Sequence, residues 1–102
     1  MSDYLADVKK YHATADEAIV QKIVKHLGIA LQSRDASLVA ASDKEELDRV
    51  VEKWCGKKLG VTGAAATNAV NAVCEIMKGD KNKSRVTFYY LVAKELNKLN
   101  DI

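Results

Sequence analysis

The sequence predicts an all-α fold, a compact bundle of about five helices around a central, aromatic-rich C-terminal helix. The 102-residue chain contains no proline and only five glycines, and residues that favour helices dominate its composition. Residues 86–96 are apolar over far more of a helical wheel than the roughly 100° stripe that a surface helix needs. Such a run predicts a helix that either lies in the middle of the domain or carries a second contact surface.

We expect the first helix at residues 3–11, with Ser2 as its N-cap. Thr14 and Glu17 fit a capping box that opens a second helix, and Gly28 is placed to end it. The predicted polar face of this helix carries Gln21, Lys22 and Lys25. Its predicted apolar face consists of Ile19, Val20, Ile23, Val24 and Leu27.

A second capping box, formed by Ser42 and Glu45, opens a third helix that ends at Gly60. Glu45 and Arg49 are spaced for an ion pair on its polar side. Residues 29–42 show no clear periodicity, and we expect one or two short helical turns there with a corner at Arg34–Asp35. The apolar stripe of the third helix consists of Leu47, Val50, Val51, Trp54 and Cys55, and we expect Trp54 to be buried.

The fourth helix is predicted from Thr62 to Gly79 and the fifth over residues 82–99. Small apolar side chains on the fourth helix allow close packing against the fifth. We expect the wide arc of the fifth helix to be covered within a monomer, while Tyr90 and Leu91 stay partly exposed. A weak homodimer through Tyr90 and Leu91 is the alternative. The apolar face of the fourth helix consists of Ala66, Ala69, Val70, Val73, Cys74 and Met77.

Length and composition indicate one globular domain over residues 1–102. The chain is 48% hydrophobic and 29% charged, and 16 Lys and Arg against 14 Asp and Glu leave a net charge of +2. This imbalance is too small to indicate nucleic-acid binding by itself. Residues 1–12 lack the apolar core of a signal peptide, and no uncharged stretch reaches the roughly 18 residues that span a bilayer. We therefore expect a cytoplasmic protein in which Cys55 and Cys74 are reduced.

Three blocks of sequence carry a resemblance to a known family. They are LGIALQSRDASLVAASDKEELDRV, the short KKLG at residues 57–60, and NKSRVTFYYLVAKEL. In this order and spacing they resemble a bacterial family of short helical proteins catalogued only as a domain of unknown function (family 2853). The resemblance covers most of the chain from Thr14 onward and implies a stand-alone, cytoplasmic helical protein. It implies no activity, no cofactor and no catalytic residue.

Cys74 is a candidate nucleophile, with His12 or His26 as its candidate base. Its place on the same helical face as Val70 and Met77 favours a buried, unreactive thiol instead. Neither histidine has a second histidine or a cysteine at ligand spacing. We therefore expect structural roles for both histidines and no metal site.

Two further patterns have ordinary structural explanations. Asp43, Glu45, Glu46 and Asp48 crowd the start of the third helix, where negative charge interacts favourably with the helix dipole. We therefore do not expect an acid–base pair there. Residues 60–63, Gly-Val-Thr-Gly, offer backbone amides to an anion, but they lack the phosphate-loop pattern and a plain turn is favoured.

The basic residues form two clusters, which make one cationic patch if they share an end of the bundle. Such a patch suits phosphates or another anionic partner. The favoured alternative is a solvated surface on which lysines complement helix C-termini. Both segments lack exposed aromatics that would stack on bases, which argues against single-stranded nucleic acid. The candidate contact residues are Lys53, Lys57 and Lys58 at the end of the third helix, and Lys78, Lys81, Lys83 and Arg85 around the turn between the fourth and fifth.

Arg85 projects toward the aromatic arc of the fifth helix, close to Phe88 and Tyr89. A guanidinium there needs a carboxylate, a carbonyl or an aromatic ring as its partner, unless the first helical turn leaves it in water. Both alternatives remain open at the level of sequence.

These observations favour a small, cytoplasmic, non-enzymatic binding or regulatory module without a cofactor. The alternative is a nucleic-acid- or anion-binding protein that uses the lysine clusters. An enzyme is the least favoured class, because none of the residue patterns forms a catalytic constellation.

Overall fold

The structure is a computed structural model that describes residues 4–28, 38–39, 43–79, 83–99 and 102. Helix α1 spans Tyr4–Lys9, α2 Glu17–Leu27, α3 Lys44–Arg49, α4 Ala64–Ile76 and α5 Arg85–Glu95. A π-helical segment, Val50–Lys58, continues directly from α3. Two short strands, β1 (Leu38–Val39) and β2 (Lys83–Ser84), pair antiparallel with Leu38 opposite Ser84. The predicted all-α fold is confirmed.

Helix α5 lies at the centre of the bundle. All eight residues from 86 to 93 are buried, so no face of this stretch meets solvent. Helices α1, α2 and α4 and the π-helical segment each pack against it. Since a helix that is apolar all round is stable only when protein surrounds it, the first of the two interpretations of this segment is the correct one.

The expectation that Tyr90 and Leu91 stay partly exposed is wrong, because they are only 1% and 3% exposed. The Tyr90 hydroxyl accepts a hydrogen bond from the backbone N–H of Asp16 at 3.2 Å. The ring of His12 lies 5.8 Å from the Tyr90 ring, measured between centroids. The connection between α1 and α2 thus covers a face that a helical wheel leaves open, and the two residues offer no surface for a homodimer.

Helix α2 confirms its predicted faces but not its predicted start. Val20 and Ile23 are buried, and the helix ends at Gly28, whose φ of 44° is a conformation that glycine adopts readily. The N-cap is Asp16, not Thr14, and its side chain accepts from the backbone N–H of Ala18 at 2.9 Å. An aspartate is at least as good an N-cap as threonine, and its charge suits the helix N-terminus.

Helix α3 also begins with an aspartate cap. The Asp43 side chain accepts from the backbone N–H of Glu45 at 3.0 Å, so the helix starts one residue later than the predicted capping box requires. The Glu45–Arg49 pair is present at a long 3.9 Å. Ser42 and the predicted first cap, Ser2, lie outside the described residues.

The third helix keeps its predicted stripe but changes its hydrogen-bond pattern. Val50, Trp54 and Cys55 are buried and the rest of the stripe is half-buried. From Val50 onward the helix is π-helical, and at its end the Leu59 N–H donates to the Trp54 carbonyl at 3.0 Å. The predicted end at Gly60, with a φ of 72°, is confirmed. The π-helical geometry has no counterpart in the sequence analysis.

Helix α4 is shorter than predicted at both ends, because it begins after Gly63 and stops at Ile76. It packs against α5 as expected. Within the described part of the chain, no helix is long and apolar enough to cross a membrane. The predicted apolar face of α4 is confirmed, with Ala66, Ala69, Val70, Val73 and Met77 buried and Cys74 half-buried.

Helix α5 is also shorter than the predicted 82–99. It begins after β2, since Lys83 and Ser84 pair with β1 instead of joining the helix. It ends before Asn97, whose φ of 58° breaks the helix, and the Lys98 N–H closes the end on the Ala93 carbonyl at 2.8 Å. The helical turns expected over residues 29–42 are not found at 38–39, which form β1. The predicted corner at Arg34–Asp35 lies outside the described residues.

Candidate functional site

The candidate site is an open depression of about 400 Å³ where α2 meets the end of the π-helical segment. Its lining residues are His26 from α2 and Lys53, Lys57 and Lys58 from the π-helical segment. Its volume falls within the range of small-molecule sites. Four groups that carry or can acquire positive charge therefore face one space.

The π-helical geometry explains why these three lysines lie together. A π-helix closes its hydrogen bonds over five residues, and Lys53 and Lys58 are five residues apart. Lys57 lies in the same turn, one residue before Lys58. All three are exposed, and no ion pair among the described residues involves them. The cluster is therefore a concentrated, solvent-facing positive charge.

His26 joins this cluster through its contact with the core. Its ring lies 5.2 Å from the indole of Trp54, at an interplanar angle of 53°. Partial burial and, secondarily, the positive charge of Lys58 lower the pKa of His26 below its ordinary value. In the free protein the lowered pKa keeps the imidazole mainly in its neutral form near pH 7.

Trp54 is the anchor of this region, and its predicted burial is confirmed at 1% exposure. Its indole N–H donates to the Tyr89 carbonyl at 3.0 Å, and its ring stacks on the Tyr89 ring with centroids 4.7 Å apart. These contacts fix the π-helical segment against α5. The lysines that follow Trp54 are thereby held in place relative to α2.

A second depression, of about 440 Å³, lies next to the first. Mostly apolar atoms line it, contributed by Val51, Glu52, Gly56, Lys57, Thr62 and Gly63. Lys57 borders both depressions. The side of the π-helical segment thus presents a basic space and an apolar space with one lysine between them.

The second predicted basic cluster does not join this site as a set of exposed cations. Lys78 is exposed and pairs with Glu75 at 3.5 Å. Lys83, in β2, is buried at 8% exposure. Lys81 lies outside the described residues. The cluster at the end of the π-helical segment is the one that lines the basic depression.

Of the two alternatives for Arg85, the structure shows the one in which the guanidinium has partners within the protein. Its guanidinium contacts the Glu46 carboxylate and donates to the Leu38 carbonyl at 3.1 Å and to the Tyr89 hydroxyl at 3.3 Å. Burial lowers the pKa of Arg85, but its interactions with Tyr89 and Glu46 outweigh this effect and hold the pKa above its ordinary value. Burial of the Tyr89 hydroxyl raises its pKa, and the hydrogen bond and positive charge of Arg85 oppose this effect.

Two acidic residues at the start of α3 make structural contacts. Asp43 caps the helix, and Glu46 accepts from Arg49 at 3.2 Å as well as contacting Arg85. Among the described residues, no group of three or more His, Cys, Asp or Glu side chains is placed to hold a metal ion. Residues 60–63 connect the π-helical segment to α4, and Gly60 and Gly63 both have positive φ there.

The thiols are protected rather than activated. Cys55 is fully buried, and burial raises the pKa of its thiol to about 11. Cys74 is half-buried rather than buried, and burial raises its pKa against a smaller opposing effect of Lys83. His12 contacts Thr14 and Tyr90, and His26 contacts Trp54. The described contacts of the histidines thus do not pair either of them with Cys74 as a base.

Sequence reasoning found the three lysines of the site but assigned His26 only a structural role. The apolar wall formed by Val51, Gly56 and Thr62 was also missed. His26 precedes the lysines by a long connection, so no local spacing links them. The five-residue interval from Lys53 to Lys58 was the available signal, but an α-helical wheel places these two residues on different sides.

A comparison with protein families identifies residues 3–100 with the model described as "Protein of unknown function (DUF2853)". The match covers nearly the whole chain and confirms the resemblance carried by the three sequence blocks. Among curated proteins, no sequence matches the chain.

Proposed function

We propose that this chain, which belongs to the family of unknown function DUF2853, is a small non-enzymatic module that binds an anionic group. The binding site is the basic depression lined by His26, Lys53, Lys57 and Lys58. The observation that carries this proposal is the convergence of these four side chains, from two separate helices, on one open space. We further propose that the module acts in the cytoplasm as a monomer.

Electrostatics favours an anion at this position. The lysines face the depression without carboxylate partners among the described residues, so their mutual repulsion is relieved only by solvent and mobile ions. Lys58 already disfavours the charged form of His26. A bound anion reverses this effect and recruits the imidazolium as a further donor.

The distribution of charge favours a single anionic group over a nucleic-acid chain. Tight nucleic-acid binding rests on several phosphate contacts spread along a surface. The second basic cluster does not extend the site in this way, because Arg85 is held by Glu46 and Lys83 is buried. Binding of nucleic acid is therefore the less favoured form of the proposal.

Calorimetric titration with inorganic phosphate at low ionic strength tests the proposal. Lys57→Gln/Lys58→Gln is expected to weaken binding about tenfold or more, since it removes two charge-assisted contacts. The matched control is Lys44→Gln/Lys94→Gln, which removes the same charge from exposed lysines outside the depression.

Equal losses in the two double variants would show that only net charge matters and would contradict a site at the depression. A short DNA duplex serves as the comparison ligand. Duplex binding much tighter than phosphate binding, and weakened equally by both double variants, would replace the proposal with nucleic-acid binding.

A further inference from the structure

We propose that the ligand is a soluble phosphate monoester with an apolar substituent, and that both depressions hold it. The phosphate occupies the basic depression and the substituent lies in the adjacent apolar depression. This inference rests on the proposed function, because it names the class of ligand that the same site takes.

The adjacency of the two depressions is the first argument. The basic space of about 400 Å³ and the apolar space of about 440 Å³ meet at Lys57, which lines both. A ligand held by Lys57 at its anionic end is therefore positioned to place its remainder against Val51 and Thr62. Small-molecule sites typically combine such an apolar wall with a few polar groups that fix orientation.

The position of Glu52 determines which end of the ligand lies where. Glu52 is exposed and lines the apolar depression, while the basic depression has no carboxylate among its lining residues. An anionic group is repelled from the first space and attracted to the second. The two spaces are thus electrostatically distinct, and an amphiphilic anion binds in one orientation.

The number of cations favours phosphate over carboxylate. Each lysine ammonium group binds a phosphate as a point charge. The basic depression contains three lysines and no arginine. Three ammonium groups around one space also interact favourably with the second negative charge that a phosphate monoester carries near neutral pH.

Titration with methyl phosphate and n-hexyl phosphate, each as a monomer in solution, tests this inference. The hexyl ester is expected to bind about tenfold more tightly, because its chain removes apolar surface of both partners from water. Hexanol, which has the chain without the charge, is expected to bind at least tenfold more weakly than the hexyl ester.

Two variants locate the chain of the ester. Gly56→Leu fills the apolar depression, and the added Cβ meets only ordinary contacts, 3.5 Å from the Val51 carbonyl oxygen and 3.6 Å from Thr62 Cγ2. Val51→Thr replaces a methyl group of the wall with a hydroxyl. Both are expected to bring hexyl phosphate close to the affinity of methyl phosphate. Val24→Thr, at a half-buried valine outside both depressions, is the matched control and is expected to retain the difference.

The possible outcomes separate this inference from the proposed function. If neither ester nor inorganic phosphate binds, the proposed function fails. If inorganic phosphate binds and the hexyl ester binds no better than the methyl ester, only this inference is overturned. It is also overturned if the hexyl gain persists in both Gly56→Leu and Val51→Thr. Binding to vesicles that contain phosphatidic acid, without binding of monomeric hexyl phosphate, would assign the site to a membrane surface instead.

Discussion

The carboxylate of Glu46 contacts the guanidinium of Arg85, and this pair joins α3 to the start of α5. Their side chains are only 12% and 14% exposed. A buried ion pair contributes little when compared with well-packed apolar residues, but removal of one partner leaves an uncompensated charge. The pair therefore makes the position of α3 on the core sensitive to single substitutions.

Glu46→Ala is expected to lower the free energy of unfolding by about 3 kcal/mol, because it removes a carboxylate that contacts the largely buried guanidinium of Arg85. Urea denaturation measures the change. Glu45→Ala is the matched control, since the Glu45 side chain is 86% exposed and its ion pair with Arg49 spans 3.9 Å. The control is expected to cost no more than about 0.5 kcal/mol. Equal effects of the two variants would show that the Glu46–Arg85 contact does not hold α3 in place.

Trp54→Ala is expected to destabilise the protein by about 3–5 kcal/mol, since it removes a fully buried ring and leaves a cavity. The single tryptophan also reports on its own surroundings, and its fluorescence in the folded protein is expected to be blue-shifted. Trp54→Phe retains most of the packing but removes the indole N–H that donates to the Tyr89 carbonyl, which is expected to cost about 0.5–1.5 kcal/mol. An emission maximum typical of water-exposed tryptophan would contradict this packing.

Leu91→Ala is expected to lower the free energy of unfolding by about 2–5 kcal/mol, because Leu91 is only 3% exposed. It lies on the face of α5 that the sequence analysis expected to be partly exposed. Lys94→Ala, at an exposed position on the same helix, is expected to change the free energy of unfolding by less than about 0.5 kcal/mol. Thermal denaturation distinguishes them. A Leu91→Ala protein as stable as the control would show that this face is not packed within the monomer.

The two cysteines are expected to react slowly with alkylating reagents in the folded protein, and Cys55 more slowly than the half-buried Cys74. Because burial raises the pKa of Cys55 from 9.0 to about 11, the folded state holds this proton more tightly than the unfolded state. Its contribution to stability is complete below pH 9 and is lost as the pH rises toward 11. Mass spectrometry after timed alkylation, with Cys55→Ser and Cys74→Ser as references, assigns the rates. Rapid modification of Cys55 at pH 7 would contradict its burial.

Anion binding is expected to strengthen as the pH falls from 8 to 5. The pKa of His26 in the free protein is lowered by burial and by Lys58, and a bound anion raises it, so protonation and binding support each other. The other charged groups that line the depression or belong to α2 are Lys53, Lys57, Lys22, Lys25 and Glu17. Inorganic sulfate is the appropriate probe, because its charge is constant over this range.

His26→Gln is expected to bind sulfate at pH 8 about as well as the parent protein and to lose most of the increase at pH 5. His12→Gln is the control, since His12 does not line the depression. If both variants retain the full increase, His26 is not the group that links binding to pH.

The sequence by itself determined which face of each helix is apolar. The stripe of the third helix, the small face of α4 and the wide apolar arc of α5 are properties of residue spacing within one helix, so hydrophobic periodicity is sufficient to predict them. The burial of Trp54 and the protection of Cys55 follow from the same periodicity.

Only the tertiary structure decided which surfaces meet. The connection from α1 to α2 covers Tyr90, and the carboxylate of Glu46 contacts Arg85. Lys83 and Ser84 pair with β1 instead of extending α5. His26, from α2, likewise lines the same depression as the lysines of the π-helical segment. Each of these contacts links residues that are distant along the chain, and their free energy depends on how whole helices pack. Local propensity contains no information about that packing, and the candidate site exists only because of it.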